Sequence, residues 1–154
     1  MLEAYLAHIA LNNILEKKRA FIYSPTKDMD MSSKPKLAVS ACLLGSKVRY
    51  NGDAAEFRVL NRVWSDHLEL VGVCPEVGIG MGVPRPTIRL VKGEERISLV
   101  NPKNGEDFTD KMLEYSEIQS DYLMSIGISG FVFKKDSPSC GLERVKVYRG
   151  DNPQ

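Results

Sequence analysis

Short apolar runs and longer stretches of helical periodicity alternate along residues 36–148. The runs "KLAVS", "LELVGVC" and "GFVFKKD" are typical of buried β-strands. Between them, residues 54–69 and 109–126 repeat apolar residues at helical spacing. The order strand, helix, strand, helix, strand predicts an α/β fold with a mainly parallel, Rossmann-like sheet, flanked by helices and joined by right-handed crossovers.

Each predicted helix has an apolar face, and a hairpin lies between the two helices. The face of the first helix consists of Phe57, Leu60, Val63, Trp64 and Leu68. In the second helix, which is expected to stop at Gly127, the inward positions are Met112, Leu113, Ile118, Tyr122, Leu123 and Ile126. "TIRLV" and "ISLV" on either side of "KGEER" predict a β-hairpin.

Residues 1–35 are predicted to be an extension that precedes a domain of residues 36–154. Residues 1–20 place Leu2, Tyr5, Leu6, Ile9 and Leu15 near one helical face, and the turn-rich "YSPTKDMDMSSKPK" that follows is typical of a linker. Because methionines stand just before the first convincing strand, two interpretations stay open. The extension is either a packed accessory helix or an upstream start that is not native to the domain.

Size and charge restrict the class of protein. The chain has 154 residues, 43% of them hydrophobic, which suits one compact globular domain. Its net charge of +1 gives no overall field that attracts polymeric nucleic acid or an anionic membrane. No run approaches ~18 consecutive apolar residues, and the N-terminus lacks the features of a secretory signal. We expect a cytoplasmic protein without a membrane span.

Each of the three cysteines follows the end of a predicted strand. Cys42 follows the first strand, Cys74 follows the second, and Cys140 lies in the loop "KKDSPSCG" after the third. Because parallel strands share one carboxyl edge, where ligands bind, we expect the three thiols to converge there. An odd number of cysteines fits a disulfide framework poorly and, in a reducing compartment, leaves free thiols, catalytic thiols or metal ligands.

Three soft thiolates favour an iron–sulfur cluster over structural zinc. Structural zinc usually has four ligands, paired in sequence, and this chain has no Cys-x2-Cys pair. His8 and His67 are weak candidates for a fourth ligand, since each is expected to be a surface or partly buried residue. A 4Fe-4S cluster held by three cysteines has one iron without a protein ligand, and that iron is an open Lewis acid.

Three motifs, "VSACLLGSKVRYNG", "VCPEVGIGMGVPRPTIRLV" and "FKKDSPSCGLERVKVY", closely resemble those of the TudS-like desulfidases. That family consists of thiouracil and thiouridine desulfurases with a three-cysteine 4Fe-4S cluster. The resemblance implies that Cys42, Cys74 and Cys140 bind the cluster. It also implies that Glu76 of the Cys-Pro-Glu motif and Ser137, the first serine of "SPSC", are catalytic. The implied reaction replaces thiocarbonyl sulfur by oxygen, without redox change, and releases sulfide.

The implied substrate is a thiolated pyrimidine base, nucleoside or nucleotide, in the 2-thio or the 4-thio form. The open iron is expected to bind its soft sulfur atom, while Glu76 acts as general base on water. Ser137 orients that water or relays a proton. The structural alternative for Glu76 is an ion pair with Arg85 or Arg89, and the alternative for Ser137 is stabilisation of a turn.

The remaining motifs have more ordinary interpretations. "GIGMG" is neither a dinucleotide fingerprint nor a Walker loop, and its glycines suit close backbone approach to a cluster or a flat base. The glycines and prolines of "VCPEVGIGMGVPRP" predict that this loop contains no helix. Met112, Tyr115 and Tyr122 are assigned to core packing. Four cations near the motifs either contact a ribose phosphate or, by default, are solvated: Arg49, Arg85, Lys134 and Lys135.

Two other functions stay open at this point. A non-catalytic iron–sulfur protein that carries sulfide would use the same cysteines, but would not need Glu76 or Ser137. A zinc-stabilised or thiol-rich interaction module is the second alternative. "ERVKVY" looks most like two-domain members of the family, so a fused, largely helical C-terminal domain is expected in a full-length protein.

Overall fold

The computed structural model describes residues 34–150 and the backbone of residues 152–153. The helix and most of the linker predicted for the extension lie outside these residues. The strands are β1 (Lys36–Ser40), β2 (Glu69–Val73), β3 (Arg89–Lys92), β4 (Ile97–Val100), β5 (Ile128–Val132), β6 (Val147–Arg149) and β7 (Asn152–Pro153). The α-helices are α1 (Arg58–Arg62), α2 (Pro75–Gly78) and α3 (Thr109–Ser125), and 3-10 turns span Ala41–Leu44 and Trp64–Asp66.

Three parallel strands form the sheet that carries the cysteines. β1 lies in the centre and pairs in parallel with β2 on one side and β5 on the other. Ala38 and Val39 of β1 are fully buried, as expected of a central strand that is covered on both faces. The prediction of an α/β fold with a mainly parallel sheet is confirmed. The carboxyl ends of all three strands therefore lie at one edge.

A second sheet, ordered β4-β3-β6-β7, packs beside α3. β3 and β4 are antiparallel with Arg89 opposite Val100, so the predicted hairpin is present. β6 pairs with β3 in parallel, and β7 pairs with β6 in the antiparallel direction at the edge of the sheet. Leu90, Leu99 and Met112 are buried in the core that this sheet shares with α3.

The two long predicted helices differ in how closely they match the structure. α1 is only five residues long, and Leu60 is its only fully buried apolar side chain, while Phe57, Val63 and Trp64 are exposed. α1 and the 3-10 turn Trp64–Asp66 thus replace the predicted long helix, and α1 packs chiefly on the two 3-10 turns rather than on a sheet. No helix in the described part of the chain is long and apolar enough to cross a membrane.

α3 begins and ends within one residue of the prediction, but part of its predicted inner face is wrong. Met112 and Leu123 are buried, whereas Ile118 and Tyr122 are 63% and 52% exposed. Met112 and Leu123 lie three turns apart on one stripe, while Ile118 is rotated by roughly 240° from Met112. A helix that packs on one sheet buries one stripe, and Ile118 lies outside it.

The prediction that no helix interrupts "VCPEVGIGMGVPRP" is also wrong, since α2 forms one turn directly after Cys74. Pro75 is compatible because the first turn of a helix leaves its backbone N–H groups unpaired in any case. The Gly78 N–H donates to the Cys74 carbonyl at 2.9 Å. A Cβ at Gly78 would clash with Cε2 of Tyr115 on α3. The two helices can therefore pack this closely only because Gly78 has no side chain.

Gly78→Ala is therefore expected to destabilise the protein by about 1–3 kcal/mol, because the methyl group forces the Tyr115 ring or α2 to move. Gly82→Ala is the matched control in the same loop, since a Cβ at Gly82 has no atom within 4 Å. Its effect should stay within about 0.5 kcal/mol. Denaturant unfolding of the metal-free proteins measures both. Equal stability of the two variants would contradict the contact.

Candidate active site

A cavity of about 230 Å³ opens at the carboxyl edge of the three-stranded sheet. Cys42 comes from the turn after β1, Cys74 from the end of β2, and Cys140 from the loop after β5, and all three line this cavity. They are free cysteines. The structure thus brings together thiols that are far apart in sequence, because each follows a strand of one parallel sheet.

Local backbone contacts hold each cysteine in place. The carbonyl of Cys42 accepts hydrogen bonds from the N–H groups of Gly45 and Ala55, which fold the following loop back on the turn. Cys74 is the N-cap of α2, and its Sγ lies 3.9 Å from the Val48 carbonyl oxygen. Cys42 and Cys74 are thus both held by residues of the loop that follows Cys42.

The loop before Cys140 is closed as tightly. The Gly141 N–H donates to the Ser137 carbonyl at 2.7 Å, and the Cys140 N–H donates to Ser137 Oγ at 3.2 Å. A Cβ at Gly141 would lie 2.6 Å from the Ser137 carbonyl oxygen. Glycine is needed at this position because the turn leaves no room for a side chain.

Burial keeps two of the thiols neutral when no cation is bound. Burial raises the pKa of Cys140 to about 12. The pKa of Cys42 is also raised, mainly by burial and to a smaller extent by the nearby Cys74. Lys134 and Arg49 oppose this shift. A bound metal reverses the preference because it stabilises the thiolate directly. These two thiols are therefore expected to ionise together with metal binding.

The donor set fits an iron–sulfur cluster better than a single metal ion. Among residues 34–150, no three Cys, His, Asp or Glu side chains lie close enough to share one ion. Structural zinc requires four ligands around one point, and His67 is exposed and absent from the cavity wall, while His8 is outside the described residues. A multi-iron cluster binds each thiolate at a different corner, which three thiols spread around one cavity allow.

Glu76 of α2 forms a buried ion pair with Arg85. Its Oε2 lies 2.7 Å from Nε and 2.6 Å from Nη2 of Arg85, and the two side chains are 14% and 4% exposed. Arg85 also donates to the carbonyls of Val48 at 2.7 Å and Gly82 at 3.2 Å. The ion-pair alternative for Glu76 is thus present, with Arg85 as the partner. It occupies only one of the two carboxylate oxygens.

The other oxygen of Glu76 is engaged by a residue that the sequence analysis missed. The Ser139 hydroxyl donates to Glu76 Oε1 at 2.7 Å. Ser137 makes no hydrogen bond to Glu76, but its Oγ lies 3.3 Å from Ser139 Oγ. The signal that pointed to Ser137, the "SPSC" motif, contains Ser139 as well.

All four predicted cations line the cavity. Arg49 and Lys134 act electrostatically on Cys42, and the Lys134 Nζ donates to the Lys135 carbonyl at 2.6 Å. Arg85, by contrast, is buried in its ion pair. Arg89 faces away, with its guanidinium 4.9 Å from the ring centre of Tyr148.

The glycines of "GIGMG" are expected to allow close approach to a cluster or a flat base. None of Gly78, Gly80 and Gly82 is among the residues that line the cavity. Gly78 instead contacts Tyr115, which had been assigned to the core. The pKa of Tyr115 is raised, mainly by burial and to a smaller extent by the nearby Cys74 and Cys140. The phenol of Tyr115 on α3 therefore lies close to the cysteine site.

The sequence model of the 2-thiouracil desulfurase family matches residues 37–154. The chain belongs to this family. YbbK, an uncharacterized protein of Bacillus subtilis (strain 168), is 31% identical over 110 residues, which are 68% of this chain and 72% of YbbK. A solved structure of the 4Fe-4S-dependent thiouracil desulfidase TudS is similar with a TM-score of 0.61 and 32% identity, over 77% of this chain and 74% of that one. The resemblance to TudS-like desulfidases is confirmed.

Proposed function

We propose that this protein is a 4Fe-4S-dependent desulfidase of thiolated uracil compounds. It exchanges thiocarbonyl sulfur for oxygen and releases sulfide, without net electron transfer. The observation that carries the proposal is the shared cavity, whose wall contains three free thiols beside a carboxylate. Membership of the 2-thiouracil desulfurase family and the similarity to TudS support it.

Cys42, Cys74 and Cys140 are the proposed cluster ligands. When bound, the cluster supplies one iron without a protein ligand, a Lewis acid that attracts the soft sulfur of the substrate. The rest of the cavity wall includes apolar surface from Val48 and Ile88. Such a wall suits a flat pyrimidine ring, and the small cavity suits a base, nucleoside or nucleotide rather than a polymer.

Glu76 is the proposed general base on the attacking water. Arg85 neutralises its charge and fixes the direction of the carboxylate through two contacts to Oε2. Oε1, which accepts the Ser139 hydroxyl and makes no contact with Arg85, is the oxygen proposed to take the proton. Ser137, whose oxygen accepts the Cys140 N–H, is the proposed contact of the water at the cavity wall.

The proposed location is the cytoplasm. Free thiols and an iron with an open position both require a reducing compartment, because oxidation would cross-link the thiols or destroy the cluster. Fractionation of the source cells, with detection of the protein by antibody, tests this point.

The function is tested by anaerobic incubation of the reconstituted protein with 2-thiouracil, 4-thiouracil and their nucleosides and nucleotides. At least one compound is expected to lose its thiocarbonyl absorbance and release one sulfide per molecule converted. A protein that holds iron and sulfide but converts none of them supports the sulfide carrier instead. Stoichiometric zinc without iron-bound sulfide supports the interaction module.

Glu76→Gln is expected to keep the brown absorbance of the cluster but to lower kcat by at least about 100-fold, since the amide cannot accept the proton of water. Anaerobic turnover, expressed per cluster, measures the effect. Glu117→Gln on the exposed side of α3 is the matched control and should retain wild-type activity. Full activity of Glu76→Gln would remove Glu76 from the mechanism.

A further inference from the structure

Ser139 is a buried residue between the two side chains to which the family resemblance assigns catalysis. It is 7% exposed. Its Oγ lies 2.7 Å from Glu76 Oε1 and 3.3 Å from Ser137 Oγ, and 3.8 Å from the Sγ of Cys140. Among the described side chains, only Ser139 lies within hydrogen-bonding distance of both Glu76 and Ser137.

The direction of these hydrogen bonds follows from the chemistry of the partners. A carboxylate only accepts hydrogen bonds, so the Ser139 hydroxyl must donate to Oε1. The lone pairs of Ser139 Oγ are then available to the Ser137 hydroxyl. The Ser137 oxygen already accepts the Cys140 N–H, which leaves its own proton free to point toward Ser139. The order of donation is Ser137 to Ser139 to Glu76.

The loop is rigid enough to maintain this order. Pro138 separates the two serines, and its ring fixes one backbone dihedral angle. The Ser137 carbonyl is bound by the Gly141 N–H at 2.7 Å, in a turn with no space for a larger residue. On the opposite side, Arg85 holds Glu76 through its other oxygen. Both ends of the hydroxyl chain are therefore fixed.

We propose that Ser139 is a positioning residue that links Ser137 to Glu76, so that the proton of the attacking water reaches the carboxylate through two hydroxyls. The water transfers a proton to Ser137 Oγ, Ser137 transfers its own to Ser139 Oγ, and Ser139 transfers its own to Glu76 Oε1. The water oxygen forms the new bond to the thiocarbonyl carbon while the carbon–sulfur π bond breaks and its electron pair moves to sulfur. The carbon–sulfur bond then breaks as the carbonyl forms, and sulfur leaves as hydrosulfide with the second proton of the water. One proton thus arrives at Glu76, the other leaves with sulfur, and no group changes oxidation state. This inference rests on the proposed function.

The contact between Ser139 and Cys140 is also consistent with a purely structural role, in which Ser139 only supports the loop around Cys140. The experiment must distinguish this role from the link between Ser137 and Glu76. A structural residue would change the amount or the reduction potential of the cluster. A linking residue would leave both unchanged and alter turnover alone. Ser139→Ala removes the hydroxyl, whereas Ser139→Thr retains it, so the pair distinguishes the loss of the hydroxyl from a disturbance of the loop.

In reconstituted holoprotein, Ser139→Ala is expected to lower kcat at least about 10-fold with KM and cluster absorbance unchanged, and Ser139→Thr to recover most of the activity. Ser137→Ala and the double variant should be about as slow as Ser139→Ala, since one link is broken in each. Wild-type turnover in Ser139→Ala would overturn the proposal. So would a loss of activity that only follows a loss of cluster.

A measurement that does not need turnover separates this inference from the proposed function. The infrared band of the Glu76 carboxylate, assigned with Glu76→Gln, is expected to move in Ser139→Ala and to stay in Ser137→Ala. An unmoved band in Ser139→Ala overturns the link, whatever the enzyme converts. A band that moves in a protein that converts no thiouracil compound supports the link and counts against the proposed function.

Discussion

Replacement of any one of Cys42, Cys74 and Cys140 by serine is expected to abolish both the cluster and the release of sulfide. Each thiol is one of three that line the cavity, and no other cysteine in the chain replaces it. Serine has a similar size but offers iron a hard, neutral oxygen in place of a soft thiolate. Iron and acid-labile sulfide per chain, together with sulfide release, measure the loss.

The metal-free forms provide the control for folding. Because serine hardly changes the volume of the side chain, each variant without metal should unfold within about 1 kcal/mol of the metal-free wild type. A variant that binds four irons per chain and works at the wild-type rate would remove its cysteine from the ligand set. If all three metal-free variants failed to fold, the thiols would serve to pack the protein core rather than to bind the cluster.

The parts of the fold that local pattern determines could be predicted from the sequence. β1 is a short apolar run, and Ala38 and Val39 are indeed fully buried in the centre of the sheet. The turns after β1 and β5 are closed by Gly45 and Gly141, which lie close to Cys42 and Cys140 in the sequence. Parallel pairing then brings the cysteines to one edge, since the strands share one direction.

The parts that depend on tertiary packing could not be predicted. Arg85 and Arg89 were equal candidates for Glu76, and only the fold separates them: Arg85 lies in the loop beside α2, whereas Arg89 opens β3 and faces Tyr148. β6 has three residues, too few for a periodic signal. The apolar spacing predicts that Ile118 is in the core, because spacing alone does not show how wide the buried stripe of a helix is.

The contact between Ser139 and Glu76 could not be predicted for a similar reason. A short loop such as "SPSC" can point either serine at the carboxylate, and the backbone of the turn decides which one does. In the structure Ser137 accepts the backbone N–H of Cys140, and Ser139 turns toward Glu76. The candidate site therefore includes a contact between residues from α2 and from the loop after β5, which are far apart in sequence.

Arg85→Met is expected to destabilise the metal-free protein by about 3–5 kcal/mol, because it leaves the charge of Glu76 buried without a partner. The carbonyls of Val48 and Gly82 also lose their donor. Methionine keeps an unbranched apolar stem, so the change removes charge and hydrogen bonds more than volume. Denaturant unfolding measures the loss, and reconstitution should incorporate less cluster because Arg85 ties the loop after Cys42 to α2.

Two further variants show whether the effect comes from the ion pair. Arg58→Met removes an arginine that is 72% exposed and 3.8 Å from Glu56, and it should cost less than about 1 kcal/mol. Adding Glu76→Gln to Arg85→Met removes the unpaired charge and should recover part of the lost stability. If Arg85→Met were as stable as Arg58→Met, the buried pair would not hold the site together. If the double variant recovered nothing, the loss would come from the carbonyl contacts instead.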